Sequence, residues 1–303
     1  MTRNGLWVAF LLVSGAAVAA ADDLDTTYQN LQEAVSKKDI AQVKKLAPET
    51  WCLAAKEMSA GTAEGADADA AKERIKYATD VQVYSEYALY ASAVQGDSAT
   101  MVELLALLEQ QNPKSKYLDD AYGAYLAALT KSAGAAKALE VAEKALVNKP
   151  ENLDLLSVLA DNAAAKGQAD RELALATRMV AAASKNVKPE TATAAEWDRK
   201  RNVALGRGYW MSGMVTFQRG RYADADRNLR AAVPLIQGNP GLQGPGLYAL
   251  GIANYQLGKM TMKKDRMLDG AKFCEQSAGI SWANASQALH DSIAIKKEAA
   301  TMR

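Results

Sequence analysis

Few residues of this chain could do chemistry. In 303 residues there is one histidine, His290, and there are two cysteines, Cys52 and Cys274. A structural zinc site draws on four clustered Cys or His ligands, and these three residues are scattered along the chain. The sequence holds no Gly-x-Ser-x-Gly elbow, no His-Glu-x-x-His, no Gly-rich loop ending in Gly-Lys-Ser/Thr and no Cys-x-x-Cys. His290 stands in SQALHDSIAIKKE, where a lone imidazole reads as a surface or capping residue. Carboxylates are spread along helical segments and read as solvated faces and i,i+4 partners. No catalytic residue, metal or cofactor is expected. Asn254 is a polar residue amid apolar neighbours; it reads as a hydrogen bond to an adjacent helix, or as the floor of a polar pocket.

Charge excludes further classes. Lys plus Arg number 36 and Asp plus Glu 35, so there is no basic excess to hold nucleic acid or an anionic membrane surface. The opening residues, MTRNGLWVAFLLVSGAAVAAADD, carry one base (Arg3), an apolar run Leu6–Val13 and then small residues, with Ala-x-Ala at 17–19 and 19–21. That is the layout of a secretory signal peptide over residues 1–21. Spanning a bilayer takes roughly 20 apolar residues, which makes an uncleaved anchor the alternative and the only expected membrane contact. Cleavage would remove Arg3 and no acid, leaving 35 basic against 35 acidic residues. The expected address is periplasmic or secreted. An oxidising compartment permits a disulfide, but Cys52 and Cys274 lie near opposite ends of the chain and would need Cα atoms within about 7 Å. Both are expected to be buried, free and apolar in behaviour.

The elements that must position any site are helices. From Leu24 onward apolar residues recur at three- and four-residue spacing, and strand-like alternation is missing. LDTTYQNLQEAVSKKDIAQVKKLA and DVQVYSEYALYASAVQGDSATMVELLALLEQQNP each read as two helices around a polar turn. The same ladder of positions then returns: Leu89, Gly96, Met101, Leu105, Leu108; Leu126, Ala133, Ala138, Ala142, Ala145; Ala160, Gly167, Glu172, Ala176, Met179; Gly213, Gly220, Ala225, Leu229, Ala232. A small residue inside the first helix lets the second approach, a Gly or short polar turn reverses the chain, and Pro113 or Pro150 stops the second helix. Glu172 occupies a small-residue slot and should loosen its pair. Helix pairs that cannot bury their apolar faces alone stack.

These ladders, with Leu250, Gly251, Tyr255 and Gly258 in LYALGIANYQLGK, resemble the tetratricopeptide repeat family over about Val81–Arg303. The resemblance implies an all-α fold, a right-handed superhelical α-solenoid of stacked antiparallel helix pairs. Residues 22–80 form a degenerate or capping pair with a flexible acidic loop at Ser59–Ala70, and 81–303 hold the repeats and C-terminal capping helices. The ladder fails after Gly258, where Lys263 stands in the next slot, and the spacing of Gly167 and Gly220 implies an insertion around SKNVKPETATAAEWDRKR. Ile236–Gly246 reads as a long Gly/Pro loop, either a plain turn or a projecting partner contact.

In stacked pairs the first helices line a concave groove. This places Glu86, Tyr87 and Tyr90, then Trp210, Met214 and Phe217, then Tyr248, Ile252 and Tyr255 on the groove side, where they either receive a guest or pack internally. Groove positions that are mostly Ala, Tyr, Met and Ile argue against a clamp for a C-terminal carboxylate, and Arg207, Arg219 and Lys259 flank the last groove. The expected function is a non-catalytic scaffold for a protein or peptide partner in the cell envelope. The alternatives are a small-molecule binder or enzyme with a pocket in the groove, and a structural subunit of an envelope or secretion assembly.

Overall fold

The computed structural model describes residues 13–61 and 68–302. Among these the chain is all-α, with thirteen helices and no strand. Its contacts divide it into two compact units, residues 1–138 and 139–303. The first holds α1 (Val13–Ser36), α2 (Ile40–Gly61), α3 (Ala68–Gln95), α4 (Ser98–Gln111) and α5 (Leu118–Ala133), and α6 (Ala135–Asn148) begins at its end. The second continues with α7 (Leu153–Ala165), α8 (Ala169–Ser184), α9 (Ala194–Gln218), α10 (Tyr222–Ala232), α11 (Pro240–Thr261), α12 (Lys264–Ala278) and α13 (Ala285–Thr301). Within each unit a helix packs on its neighbour in sequence. The first helices of successive pairs also touch: α1 with α3 and α3 with α5 in one unit, and α7 with α9, α9 with α11 and α11 with α13 in the other.

Four hairpins close in the same way. A residue in the left-handed region ends the first helix (Lys38, Gly167, Gly220 and Met262, φ 53–69°). The next amide then reaches back five residues, Asp39 to Ala34 (2.9 Å), Gln168 to Ala163 (2.9 Å), Arg221 to Thr216 (2.9 Å) and Lys263 to Gly258 (2.8 Å). This is the Schellman closure, which satisfies a carbonyl the helix end leaves over. Counting from these turns, the fifth, ninth and twelfth residues face the partner helix. After Lys38 they are Val43, Ala47 and Thr50, after Gly220 Ala225, Leu229 and Ala232, and after Met262 Met267, Ala271 and Cys274, all fully buried.

That register corrects two expectations. The ladder does not fail in the last repeat. α11 runs one turn further than expected, its reversal comes at Met262, and Gly258 is a helical packing residue whose Cβ would meet Met267 Cγ at 2.5 Å. The α1–α2 pair follows the ladder as closely as the others. Glu172 is half-buried in its slot while Ala176 and Met179 beside it are fully buried.

Ile236–Gly246 is not a long loop. Only residues 236–239 form the turn, after a short 3₁₀ segment at Val233–Leu235, and the rest is the start of α11 with Pro240 at its first position. Proline is tolerated there because that N–H has no intrahelical partner. Pro245 lies deeper in the helix. The glycines that mimic a loop make room for indoles: a Cβ on Gly244 would meet Trp282 at 2.5 Å, and one on Gly246 would meet Trp210 at 3.1 Å. The extra length before Gly220 lies in α9, which starts with a Thr193–Glu196 capping box, while residues 185–193 connect it to α8.

At the N-terminus, residues 1–12 of the expected signal segment lie outside the described residues, and 13–21 belong to α1. Among the described residues no helix is long and apolar enough to cross a membrane. Half of the expected acidic loop, 62–67, is likewise outside them, flanked by longer helices than expected, and residue 80 lies inside α3. Cys274 is buried but Cys52 is exposed on α2, so only one cysteine behaves as a core residue; both thiols are free.

Candidate functional site

In the second unit the predicted groove residues are part-buried against the unit's own helices. Trp210, Met214 and Phe217 pack against Ala225, Leu229, Ala249, Leu250 and Ala253, and the Trp210 indole N–H donates to the Leu242 carbonyl at 2.9 Å. Tyr248, Ile252 and Tyr255 pack on the cluster of Met267, Ala271, Cys274, Ile295 and Ala299. Their hydroxyls are spent on α13: Tyr248 donates to Asp291 at 2.7 Å and Tyr255 to Glu298 at 2.5 Å. Burial and the Asp291 carboxylate push the Tyr248 hydroxyl above its ordinary value, as expected for a phenol that must stay protonated to donate. The terminal helix thus lies where a guest was expected. The flanking cations are also engaged, Arg207 with Asp161, Arg219 with Asp170 and Lys259 with Glu298.

Asn254 ties three helices together. Only 2% exposed, it donates to Asp226 (2.7 Å) on α10 and to the Leu250 carbonyl (2.9 Å), and it accepts from Arg266 (3.3 Å) on α12. Above it opens a depression of about 640 Å³ bordered by Arg230, Lys263, Lys264 and Arg266 and by the carboxylates of Asp265 and Asp269. Among the described residues no group of three or more His, Cys, Asp or Glu is placed to hold a metal ion.

The first unit is different. Four tyrosines lie on α3, at 77, 84, 87 and 90, and Tyr28 of α1 and Tyr117 just before α5 complete a row of rings in contact. Tyr28 meets Tyr77 edge-on at 6.4 Å and Tyr84 edge-on at 5.2 Å. Tyr84 and Tyr87 are 6.1 Å apart and tilted by 53°, Tyr87 and Tyr117 5.8 Å and 55°, and Tyr90 stacks on Tyr117 at 5.4 Å. Such edge and offset contacts suit the ring quadrupole, so each ring is held by its neighbours. The Tyr77 hydroxyl donates to Asp25 at 2.5 Å, and burial raises the Tyr77 and Tyr84 hydroxyls above the ordinary phenol range.

The row is open on one side. Val83, Tyr87 and Val94 are 39%, 43% and 53% exposed, and with Tyr90 they follow the 4-3-4 spacing of one helix face. Of the predicted residues, Tyr87 is exposed, and Tyr90 on the same face is part-buried, stacked on Tyr117. Glu86 is buried and accepts from Asn112 at 2.8 Å. Sequence reasoning missed Tyr28, Tyr77, Tyr84 and Tyr117 as members. The seven-residue step from Tyr77 to Tyr84 was a visible signal, whereas Tyr28 comes from α1 and Tyr117 from the residue that precedes α5. No protein-family model matches the chain, and no curated protein matches it.

Proposed function

We propose that the chain is an exported, non-catalytic helical scaffold of the tetratricopeptide type, a right-handed solenoid that holds a protein or peptide partner in the cell envelope. The observation that carries the binding role is the tyrosine row of the first unit, with Val83, Tyr87, Tyr90 and Val94 on one open helix face. Contiguous exposed apolar surface marks interaction sites more often than isolated side chains do, and tyrosine combines large contact area with few torsions to order. The shared hairpin register supports the repeat architecture. A role as a structural subunit of an envelope assembly differs only in the partner.

The test is affinity capture from an envelope extract with the wild-type chain and with Tyr87→Ala/Tyr90→Ala, read by mass spectrometry. A partner retained by the wild type and lost from the double variant is expected. The same proteins on both baits, or on neither, would sink the reading. A second reading, a small anionic molecule at the depression over Asn254, has in its favour the excess of Arg230, Lys263, Lys264 and Arg266 over Asp265 and Asp269 on the rim. It predicts that a carboxylate or phosphate compound raises the melting temperature of wild type but not of Lys263→Ala/Lys264→Ala.

A further inference from the structure

We infer that the tyrosine row is a site of oxidative modification, where a one-electron oxidant joins Tyr87 to Tyr117 through a carbon–carbon bond. This goes beyond the partner-binding reading and does not rest on it. The row runs in one unbranched order, Tyr77, Tyr28, Tyr84, Tyr87, Tyr117, Tyr90, each ring in contact with the next. Of the chain's twelve tyrosines only Tyr77 and Tyr87 are exposed, and both belong to it.

A phenol that gives an electron to an oxidant and its hydroxyl proton to water becomes a phenoxyl radical. Its unpaired electron is shared with the ring carbons on either side of the C–O carbon. Two such radicals in contact pair their electrons in a bond between those carbons. The hydrogen on each joined carbon then moves to the oxygen and restores the phenol, so the pair has lost two hydrogens. The oxidant is a haem peroxidase fed with hydrogen peroxide, and one peroxide is reduced to two waters for each bond formed. Tyr117 is part-buried and is oxidised through its neighbour. It passes an electron and a proton to the Tyr87 radical across their contact, and the exposed Tyr87 reacts a second time. Because the bond forms at ring carbons, hydrogen-bonded hydroxyls and rings with no space between them are compatible with it.

Geometry selects the pair. The new bond lies in both ring planes, so the rings must turn edges toward each other. Tyr90 stacks on Tyr117 at 24° and offers a face, while Tyr28 meets Tyr77 and Tyr84 edge to face at 78° and 82°. The tilted pairs are Tyr84 with Tyr87 at 53° and Tyr87 with Tyr117 at 55°. Tyr84 and Tyr87 are both held in α3, their ring centres 6.1 Å apart. Tyr117 lies 5.8 Å from Tyr87 in the connection between α4 and α5, a kind of segment that yields more readily than a helix. Tyr122 and Tyr125 also stack, but both are buried beyond the oxidant's reach. The bond would tie α3 to the start of α5 and close a loop over residues 87–117, which restrains the unfolded chain.

The test uses the full chain at low concentration, with Cys52 alkylated beforehand so that it forms no disulfide, treated with a haem peroxidase and hydrogen peroxide. Expected are a monomeric product with the blue fluorescence of dityrosine, a peptide map joining Tyr87 to Tyr117 with the loss of two hydrogens, and a raised Tm. Tyr87→Phe and Tyr117→Phe should each lose the joined peptide, because phenylalanine has no hydroxyl to oxidise. Tyr209→Phe leaves the row intact and should keep it, and circular dichroism confirms that each variant is folded. The inference falls if no cross-link forms, if the joined peptide persists in Tyr87→Phe, or if the bond maps to another pair or to a second copy of the chain. A chain that cross-links in this way yet captures no envelope partner would sink the partner reading alone, and capture without cross-linking would sink this inference alone.

Discussion

Replacing Gly251 by alanine tests whether the last hairpin is held by backbone approach. α11 and α12 run antiparallel, and the missing side chain lets them close: a Cβ at Gly251 would lie 2.5 Å from Cys274 Sγ, 2.8 Å from the Gly270 carbonyl oxygen and 3.0 Å from the Cys274 amide nitrogen. Two of these atoms are backbone, so no rotamer change relieves them and the helices must separate. Overpacking of a close-packed site costs about 1–3 kcal/mol, and the rigid neighbours put this case near the upper end. Alanine returns about 0.8–1.0 kcal/mol as the better helix former. The net is a loss of about 2 kcal/mol, or about 4–8 °C in Tm for a domain of this size. Gly241 in the same helix is the control. It is exposed, and a Cβ there would meet only Asn239 Oδ1 at 3.5 Å, so Gly241→Ala should raise stability by about 0.4–1 kcal/mol through the unfolded state. Thermal denaturation of both variants should move Tm in opposite directions. A Gly251→Ala protein at or above the wild-type Tm, or equal shifts for both, would refute the close-approach argument.

Other perturbations are simpler. Burial, and secondarily the charge of Asp161, raise the Glu172 carboxyl above its ordinary value, so its stabilising share is complete below the unfolded pKa of about 4.3 and disappears as pH rises through the higher folded value. Glu172→Gln should therefore raise Tm at pH 7 and give a gain that shrinks toward pH 4; a pH-independent gain would contradict this. Native iodoacetamide should label Cys52 alone, because Cys274 is buried and its thiol is pushed up to about 12, first by desolvation and then by Asp291. Mass spectrometry showing two labels before urea is added would count against that packing. Asn254→Ala should cost about 1–3 kcal/mol, since it strips a donor from the half-buried Asp226, and unchanged denaturant stability would show that the cluster does not tie the helices.

Helix class was legible from the chain because apolar spacing and caps are local. Asp97 accepts from the Thr100 amide and Asn152 from the Asp154 and Leu155 amides, as residues of those types before apolar runs imply. The hairpin ladder was legible for the same reason: a reversal and the residues five, nine and twelve positions later lie within one pair of helices. The reading slipped where one signal had two physical causes. Glycines and prolines at 240–246 mark a loop when the chain must bend, and the same composition serves a helix that must admit Trp282 and Trp210. Met262 in the left-handed region is a turn that residue type does not announce.

The binding surface divides along the same line. Sequence by itself determined that α3 carries Tyr87 and Tyr90 on one face, because helical period decides which side chains are neighbours on a helix. It also determined that Tyr248 and Tyr255 share a face of α11. Only tertiary structure decided that α13 covers the second pair, and that Tyr28 and Tyr117 come from elsewhere in the first unit to extend the first pair into a row. Exposure is the area left after every other helix has packed, so a helix's own residues do not set it.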